Sequence, residues 1–494
     1  MLLSCMKNIT PFFAGFHIQT LNRKRRSEML EIKRKLALIK QKSFSQLAEC
    51  FTTFIPSNML KPSPNKAHSR CRIYSKLNTF WAFFSQVIDA DGGCKEVTRK
   101  MQAYASLNGL KLPASSTSAY CQARKKLKES ELMNILKHNT SRLDNIPERG
   151  FLKGRRVVVV DGTGISMPDT KENQKEWPQQ SQQKEGCGFP TARICACFSL
   201  ATGGVLSFKV GNKKSAELPL FRKQWDTFKK GDIFLGDKGF CSFYDLAKLK
   251  DRDVDSVITL ARRPAVDASC ADKKLAPNDL LISWKKPRWT KKTAYSQSDW
   301  KTLPSTLIVR QIRVEVTVPG FRTKSFYIIT TLTDAEKYSA EEIADLYLQR
   351  WNVELFFRDI KTTIGMDILR CKTPDMIRKE IIMHFIVYNS IRMLMYEAAE
   401  ERCVNVSRLS FKGALQALRQ WEPHLNQAKI SKRERLRILS TLYDAISENK
   451  VPLRQGRREP RCVKRRPKPY QLLTVARDQM KEILHRSKYR AKQP

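Results

Sequence analysis

The sequence predicts an α/β fold: a mixed sheet with helices, interrupted by a mostly β insertion and flanked by helical regions at both ends. Residues 155–167, RRVVVVDGTGISM, form a continuous β-branched run, whereas residues 1–150 show helical patterns separated by basic turns. Residues 193–211, RICACFSLATGGVLSFKVG, read as two strands around a Thr-Gly-Gly hairpin. From 231 onward, short apolar runs alternate with helical patterns, as they do when strands and helices share one sheet.

Within 1–150, FWAFFSQVIDADGGCKEVTRKMQAYA (80–105) is a helix, an Asp-Gly-Gly turn and a second helix. LPASSTSAYCQARKKLK (112–128) offers serines and Thr117 as caps for a helix carrying Arg124, Lys125, Lys126 and Lys128. A capped basic helix after two short ones suits a helix-turn-helix-like DNA reader. A solvated basic face on an ordinary helical bundle fits the same pattern equally well.

In 151–263, SAELPLFRKQWDTF (215–228) looks helical, and GDIFLGDKGF (231–240) is a short strand closing on Asp237. The helix SFYDLAKLK and the strand DSVITLA (255–261) follow. Residues 264–324 are polar and basic, contain Trp284, Trp289 and Trp300, and end in TLIVRQIRVEVTV (306–318). They read as the β insertion. SFYIITTLTD (325–334) returns to the main sheet, and YSAEEIADLYLQRW opens a long helix, so that 325–400 completes the core. Further helices fall around 376–400, 407–421 and 431–447. The region 401–494 ends in a basic tail, where the last 44 residues hold 14 basic and 3 acidic side chains.

Charge is the loudest compositional signal: 91 Lys and Arg against 48 Asp and Glu, a formal +43. Such an excess repels itself unless a polyanion neutralises it, and the common large polyanion is nucleic acid. No apolar run reaches the length of a membrane span, which argues against a membrane partner. The 13 cysteines are scattered and never spaced as CxxC, so neither a zinc site nor a disulfide framework is indicated, and a reducing cytoplasm is the simplest compartment. The N-terminus lacks the charged region and long apolar stretch of a secretory signal, and Met29 opens a clean helical pattern as an alternative start.

The helix YLQRWNVELFFRDIK (347–361) poses a question. At about 100° per residue, Tyr347, Arg350, Glu354 and Lys361 share an arc of roughly 60°. Most of the remaining circumference is apolar, the mark of a buried helix. Arg350 and Glu354 alone form an ordinary i,i+4 pair worth a few tenths of a kcal/mol. Asp161 and Asp237, however, each end an apolar strand before a glycine turn, where side chains of α/β sheets face a ligand crevice. Converging with Glu354, they make a hard oxygen site for Mg²⁺ or Mn²⁺. Two such ions can activate a water and stabilise a leaving 3′-oxygen of a phosphodiester. Arg350 can clamp a phosphate, with Lys361 and Tyr347 as further donors.

Tyr347-x2-Arg350-x3-Glu354-x6-Lys361 resembles, spacing for spacing, the Tyr-Arg-Glu-Lys signature of insertion sequence 4 family transposases. VVVVDGT around Asp161 and GDKGF around Asp237 look like that family's two aspartate motifs, with Lys238 and Phe240 where many relatives have Arg and Tyr. The order Asp, Asp, Glu agrees, and the resemblance runs from about residue 45 to 400. It implies a ribonuclease H-like core in 151–263 and 325–400, interrupted by the insertion, and a DNA-binding role for 1–150. It further implies binding of terminal inverted repeats, metal-dependent strand cleavage and strand transfer through a hairpin. Catalysis and metal binding would fall to Asp161, Asp237 and Glu354, probing of phosphate to Tyr347, Arg350, Lys361 and Lys238. An insertion-domain tryptophan would stack on a flipped base, with Trp300 preferred over Trp289 and Trp284. The partner would be double-stranded DNA, bound by a homodimer on paired ends at the bacterial nucleoid, with no small-molecule cofactor. A catalytically silent DNA-binding descendant and a ribonuclease H-like nuclease or resolvase are the alternatives.

Overall fold

The structure is a computed structural model that describes residues 51, 54–61, 73–107, 111–146, 151–212, 215–260, 265–290, 295–315, 325–425, 431–452, 475–476 and 479. The first 50 residues, Met29 among them, and nearly all of the basic tail lie outside the described residues.

The N-terminal region forms α1 (Lys76–Ile88), α2 (Cys94–Leu107), α3 (Ser118–Lys125) and α4 (Glu129–Asp144). The Asp-Gly-Gly turn between α1 and α2 works because Gly92 takes φ +59°, a conformation that suits glycine. Phe80, Trp81, Phe83 and Phe84 of α1 are fully buried in the main core. Thr117 stands at the N-cap of α3 but its side chain caps nothing. The Ser116 hydroxyl accepts from Ser118 N–H at 3.2 Å instead.

The sheet begins with β1 (Val157–Ser166). After α5 (Lys171–Glu176) come β2 (Thr191–Ser199), β3 (Val205–Asn212) and α6 (Glu217–Arg222). Next are β4 (Ile233–Gly236), α7 (Phe243–Lys250) and β5 (Asp255–Thr259). The segment read as an insertion supplies β6 (Lys273–Ala276), β7 (Asp279–Lys285), α8 (Gln297–Lys301) and β8 (Thr306–Glu315). The return strand is β9 (Ser325–Thr330).

Among the described residues, nine strands join one sheet in the order β3-β2-β1-β4-β5-β9-β8-β7-β6. β1, β2 and β3 form an antiparallel meander, while β4 and β5 run parallel to β1 and to each other. β9 pairs antiparallel with both β5 and β8. The insertion therefore extends the sheet, with β9 as the seam. This is the mixed α/β, ribonuclease H-like architecture expected from the sequence.

Helices close the core: α9 (Ala340–Leu348), α10 (Asn352–Arg358), α11 (Pro374–Glu401), α12 (Phe411–Leu425) and α13 (Lys432–Glu448). A Ser339/Glu342 capping box starts α9. α11 is buried along most of its length and packs against α1, α4, α12 and α13. Lys100 of α2 ties the N-terminal helices to α12 through Glu422 at 2.9 Å, and to Asp89 at 2.6 Å. Among the described residues, no helix is long and apolar enough to cross a membrane.

Two sequence expectations change here. The Asp161-Gly162-Thr163-Gly164 segment is not a turn: β1 continues through it, paired with β2 from Asp161↔Ala196 to Ser166↔Thr191. Nor is 347–361 one regular helix. α9 ends at Leu348, a 3₁₀ turn spans Gln349–Trp351, and a π turn at Asp359–Thr363 follows α10. The stripe's angles, which assume 3.6 residues per turn throughout, drift accordingly. Leu348, Trp351 and Leu355 are also exposed, so this helix is buried on one side rather than all round.

Candidate active site

Along β1 the side chains alternate. Val157 and Val159 enter the main core, while Val158 and Val160 enter the second core on the other face. Asp161 continues the phase of Val157 and Val159. It thus lies on the face whose core includes Val353, Phe356 and Phe357 of α10. Phe198 on β2 fastens that helix, with ring centroids 5.6 Å from Phe356 and 5.1 Å from Phe357.

β4 pairs with β1 through Val157↔Ile233, Val158↔Phe234 and Val159↔Leu235, then ends at Gly236. Two further steps along each strand bring Asp161 beside Asp237. Neighbouring strands are about 4.8 Å apart, so these carboxylates are close. Asp237 caps the 3₁₀ turn Lys238–Phe240, accepting from Gly239 N–H at 2.8 Å. Asp161 accepts from Gly162 N–H at 2.7 Å. Burial pushes the Asp161 carboxyl up to about 6, with the negative charges of Asp237 and Glu217 adding to it. The Gly162 amide and the Arg350 guanidinium pull in the opposite direction.

Arg350 sits in the 3₁₀ turn before α10, almost wholly buried. Its guanidinium lies over the Trp351 ring, 4.6 Å from the centroid, and Nη2 is 3.7 Å from Glu354 Oε1. Its Nε has no hydrogen-bond partner among the described residues. A buried donor left unmade costs about 1–3 kcal/mol, so this N–H still has a hydrogen bond to make. Glu354, in the first turn of α10, is 53% exposed. Tyr347 is buried against Phe326, and its oxygen accepts from Thr259 Oγ1 at the end of β5, leaving its own O–H to donate. Lys361 falls in the π turn and reaches Asp367 at 3.4 Å. Lys238 is exposed beside Asp237.

The structure places Asp161 within electrostatic reach of Asp237 and Arg350, and Arg350 Nη2 3.7 Å from Glu354. Among the described residues, no three His, Cys, Asp or Glu side chains are gathered closely enough to hold a metal ion. The chemistry of the donors nevertheless suits a hard divalent cation: two neighbouring carboxylates, one made harder to ionise by burial and like charge, are what such a charge would relieve.

Several candidates are placed differently from expectation. Trp300 is buried in a stack with Tyr295 and Tyr244, ring centroids 5.2 and 6.4 Å away. Trp284 is buried as well. Trp289 is half-buried, its Nε1–H donating to Tyr295 O at 3.4 Å, and of the three it alone keeps appreciable surface. Arg124 points inward, donating to Gln86 Oε1 at 2.7 Å and lying over Phe83 and Tyr120. The exposed basic groups at the end of α3 are Lys125, Lys126 and Lys128.

Sequence reasoning missed Glu217. At the start of α6, its carboxylate presses on Gly162 so closely that a Cβ there would lie 2.4 Å from Glu217 Cδ. A glycine inside a strand marks just such a close approach, and Gly162 was the available signal. Gly162, Gly164, Thr191, Arg193 and Glu217 also line an open groove of about 520 Å³ beside Asp161.

Residues 152–390 match the family described as the transposase DDE domain. The chain is 26% identical over 364 residues to the transposase InsG for insertion sequence element IS4 of Escherichia coli strain K12, covering 72% of this chain and 78% of that protein. It is 34% identical over 91 residues to a probable transposase for insertion sequence element IS5377 of Geobacillus stearothermophilus, 18% of this chain and 24% of that protein. A piggyBac transposase, solved in a synaptic complex with hairpin DNA, aligns over 81% of this chain and 85% of its own at 11% identity and a TM-score of 0.42. The domain match embraces Asp161, Asp237 and Glu354, and the longest of these sequence alignments is to the transposase of an insertion sequence. Residues 152–390 thus match a transposase DDE domain, and the chain is similar over most of its length to the transposase of an insertion sequence 4 element.

Proposed function

We propose that this transposase binds double-stranded DNA at the terminal inverted repeats of its element, cuts it and joins the freed ends to a target by a cut-and-paste route through a hairpin. The observation that supports this reading is the proximity of Asp161 and Asp237 on the paired strands β1 and β4 to Arg350, whose buried Nε–H lacks a partner among the described residues. Asp161, Asp237 and Glu354 would hold divalent cations, two Mg²⁺ or Mn²⁺ ions. When bound, these supply the positive charge that eases attack by water or a 3′-hydroxyl and departure of the 3′-oxygen.

The chain's own residues do the rest. Arg350, rigid between Trp351 and the core, offers a pre-positioned donor to a phosphate oxygen, and little reorganisation is needed when charge develops there. Tyr347 can donate its O–H to the same phosphate, while Lys361 and Lys238 contribute mobile positive charge. Trp289 is the tryptophan available for stacking on an unpaired base. Lys125, Lys126 and Lys128 present a basic face from the N-terminal helices, and the formal +43 supplies sequence-independent affinity for the backbone. A homodimer on paired ends would let one subunit engage each end.

The test is a joining assay with a labelled DNA fragment ending in the element's terminal repeat, a second unlabelled plasmid and Mg²⁺. Covalent transfer of label to the plasmid is the expected result. Cleavage without transfer under every divalent metal tried would instead identify a nuclease, and binding without cleavage would identify a silent descendant.

A further inference from the structure

Outside the Asp161 and Asp237 site, the N-terminal helices hold a pair of thiols. Cys94 is the first residue of α2 and Cys121 lies in α3, and their sulfurs are 3.9 Å apart, with Cys121 donating to Cys94 Sγ. Gln86 Nε2 donates to the same sulfur at 3.6 Å. Both cysteines are half-buried, so small reagents can reach them. Arg124 is fixed alongside by its contacts with Gln86, Phe83 and Tyr120.

This setting favours thiolate at Cys94. The hydrogen bond from Cys121 lowers its thiol to about 6 against the opposing effect of burial, helped by the Arg124 charge and the Gln86 amide. The N-terminal position on a fourteen-residue helix acts in the same direction. Nearby Cys371 differs: it is buried, and burial pushes its thiol well above the ordinary range.

We propose that Cys94 and Cys121 form a dithiol site for low-molecular-weight disulfides, which convert the pair to an intrachain disulfide joining the start of α2 to α3. The Cys94 thiolate attacks one sulfur of the incoming disulfide, whose S–S bond breaks and releases one thiolate, protonated by solvent. Cys121, losing its proton to solvent, then attacks the Cys94 sulfur of the mixed disulfide and expels the second thiol. Two protein thiols are oxidised, and one disulfide is reduced to two thiols. Closing the pair shortens the sulfur separation from 3.9 Å to a bond of about 2.05 Å. The link would fasten the helix whose end carries Lys125 and Lys126 to its neighbour.

The experiment treats the full-length chain with oxidised glutathione and maps tryptic peptides without reduction. The expected product joins residues 77–95 to 112–124, two hydrogens lighter than the sum of the two peptides, and forms before exposed Cys270 and Cys403 accumulate glutathione. In Cys121→Ser, Cys94 should retain a stable glutathione adduct, whereas Cys94→Ser should leave Cys121 reduced over the same interval. Circular dichroism checks that both variants are folded. Modification of Cys270 and Cys403 without the joined peptide would overturn the proposal, as would an unmodified Cys94 in folded Cys121→Ser.

Discussion

Asp161 on β1 and Asp237 just past the end of β4 continue the register of these parallel strands, each two residues beyond the last paired positions, Val159 and Leu235. The sheet thereby sets two like charges against each other, a stored electrostatic cost of the kind functional sites retain.

Asp161→Asn should release part of that cost while removing activity. The folded carboxyl titrates above its ordinary value, so the stability it contributes is fully present below about pH 4 and is lost as pH rises through about 6. At pH 7.5 without divalent metal, the asparagine variant should be more stable than the parent by on the order of 1 kcal/mol. Urea unfolding would measure this, and an equally large loss of stability would show that Asp161 is instead well solvated or paired.

Gly162 and Glu217 should be energetically coupled. Gly162→Ala forces Glu217 to move, and overpacking of this kind costs about 1–3 kcal/mol. In a Glu217→Ala background the same change should cost much less, so the double-mutant cycle should show coupling on the order of 1 kcal/mol or more. Strict additivity would mean that the two side chains do not compete for the same space.

Acid should weaken the core at His384. This imidazole is buried in α11, its Nδ1 2.8 Å from Glu380 O, and burial holds it below the ordinary histidine range. The unfolded chain therefore binds the additional proton, and the contribution present above about pH 6.5 is lost as pH falls. The parent's melting temperature should drop more between pH 7 and 5 than that of His384→Gln. Parallel pH profiles would refute the assignment.

The strands of the insertion depend on a buried ion pair. Arg310 grips Asp279 through two hydrogen bonds, one of 2.7 Å, and also donates to Tyr338 O at 2.6 Å. Removing one partner leaves an uncompensated charge, so Asp279→Ala should cost about 3–5 kcal/mol in urea unfolding, whereas an Asp279→Leu/Arg310→Leu double variant should cost far less.

Much of this molecule is legible in its sequence, for identifiable reasons. Asp161 and Asp237 follow apolar runs that read as buried strands, so their neighbouring places on β1 and after β4 follow from that pattern. The hairpin at Thr202-Gly203 and the Ser339 capping box are local signals with local causes. What escaped depends on packing between distant segments. The 3₁₀ and π turns around α10 alter the phase of the Tyr-Arg-Glu-Lys stripe without changing its spacing. Trp300 looks like a ligand platform until Tyr244 and Tyr295 stack on it, and Arg124 looks like a DNA contact until Gln86 turns it inward. Glu217 could be found only by asking what presses on Gly162.

We propose that Glu354, exposed on α10 and tied to Arg350, completes with Asp161 and Asp237 one DNA-cutting site. The most direct measurement is nicking of a supercoiled plasmid carrying the matched terminal repeat, by the parent and by Glu354→Gln, in Mg²⁺, with end binding followed by gel shift. Equal binding by both proteins and nicking at the repeat by the parent alone is the predicted result. Nicking by Glu354→Gln at the parent's rate would contradict it.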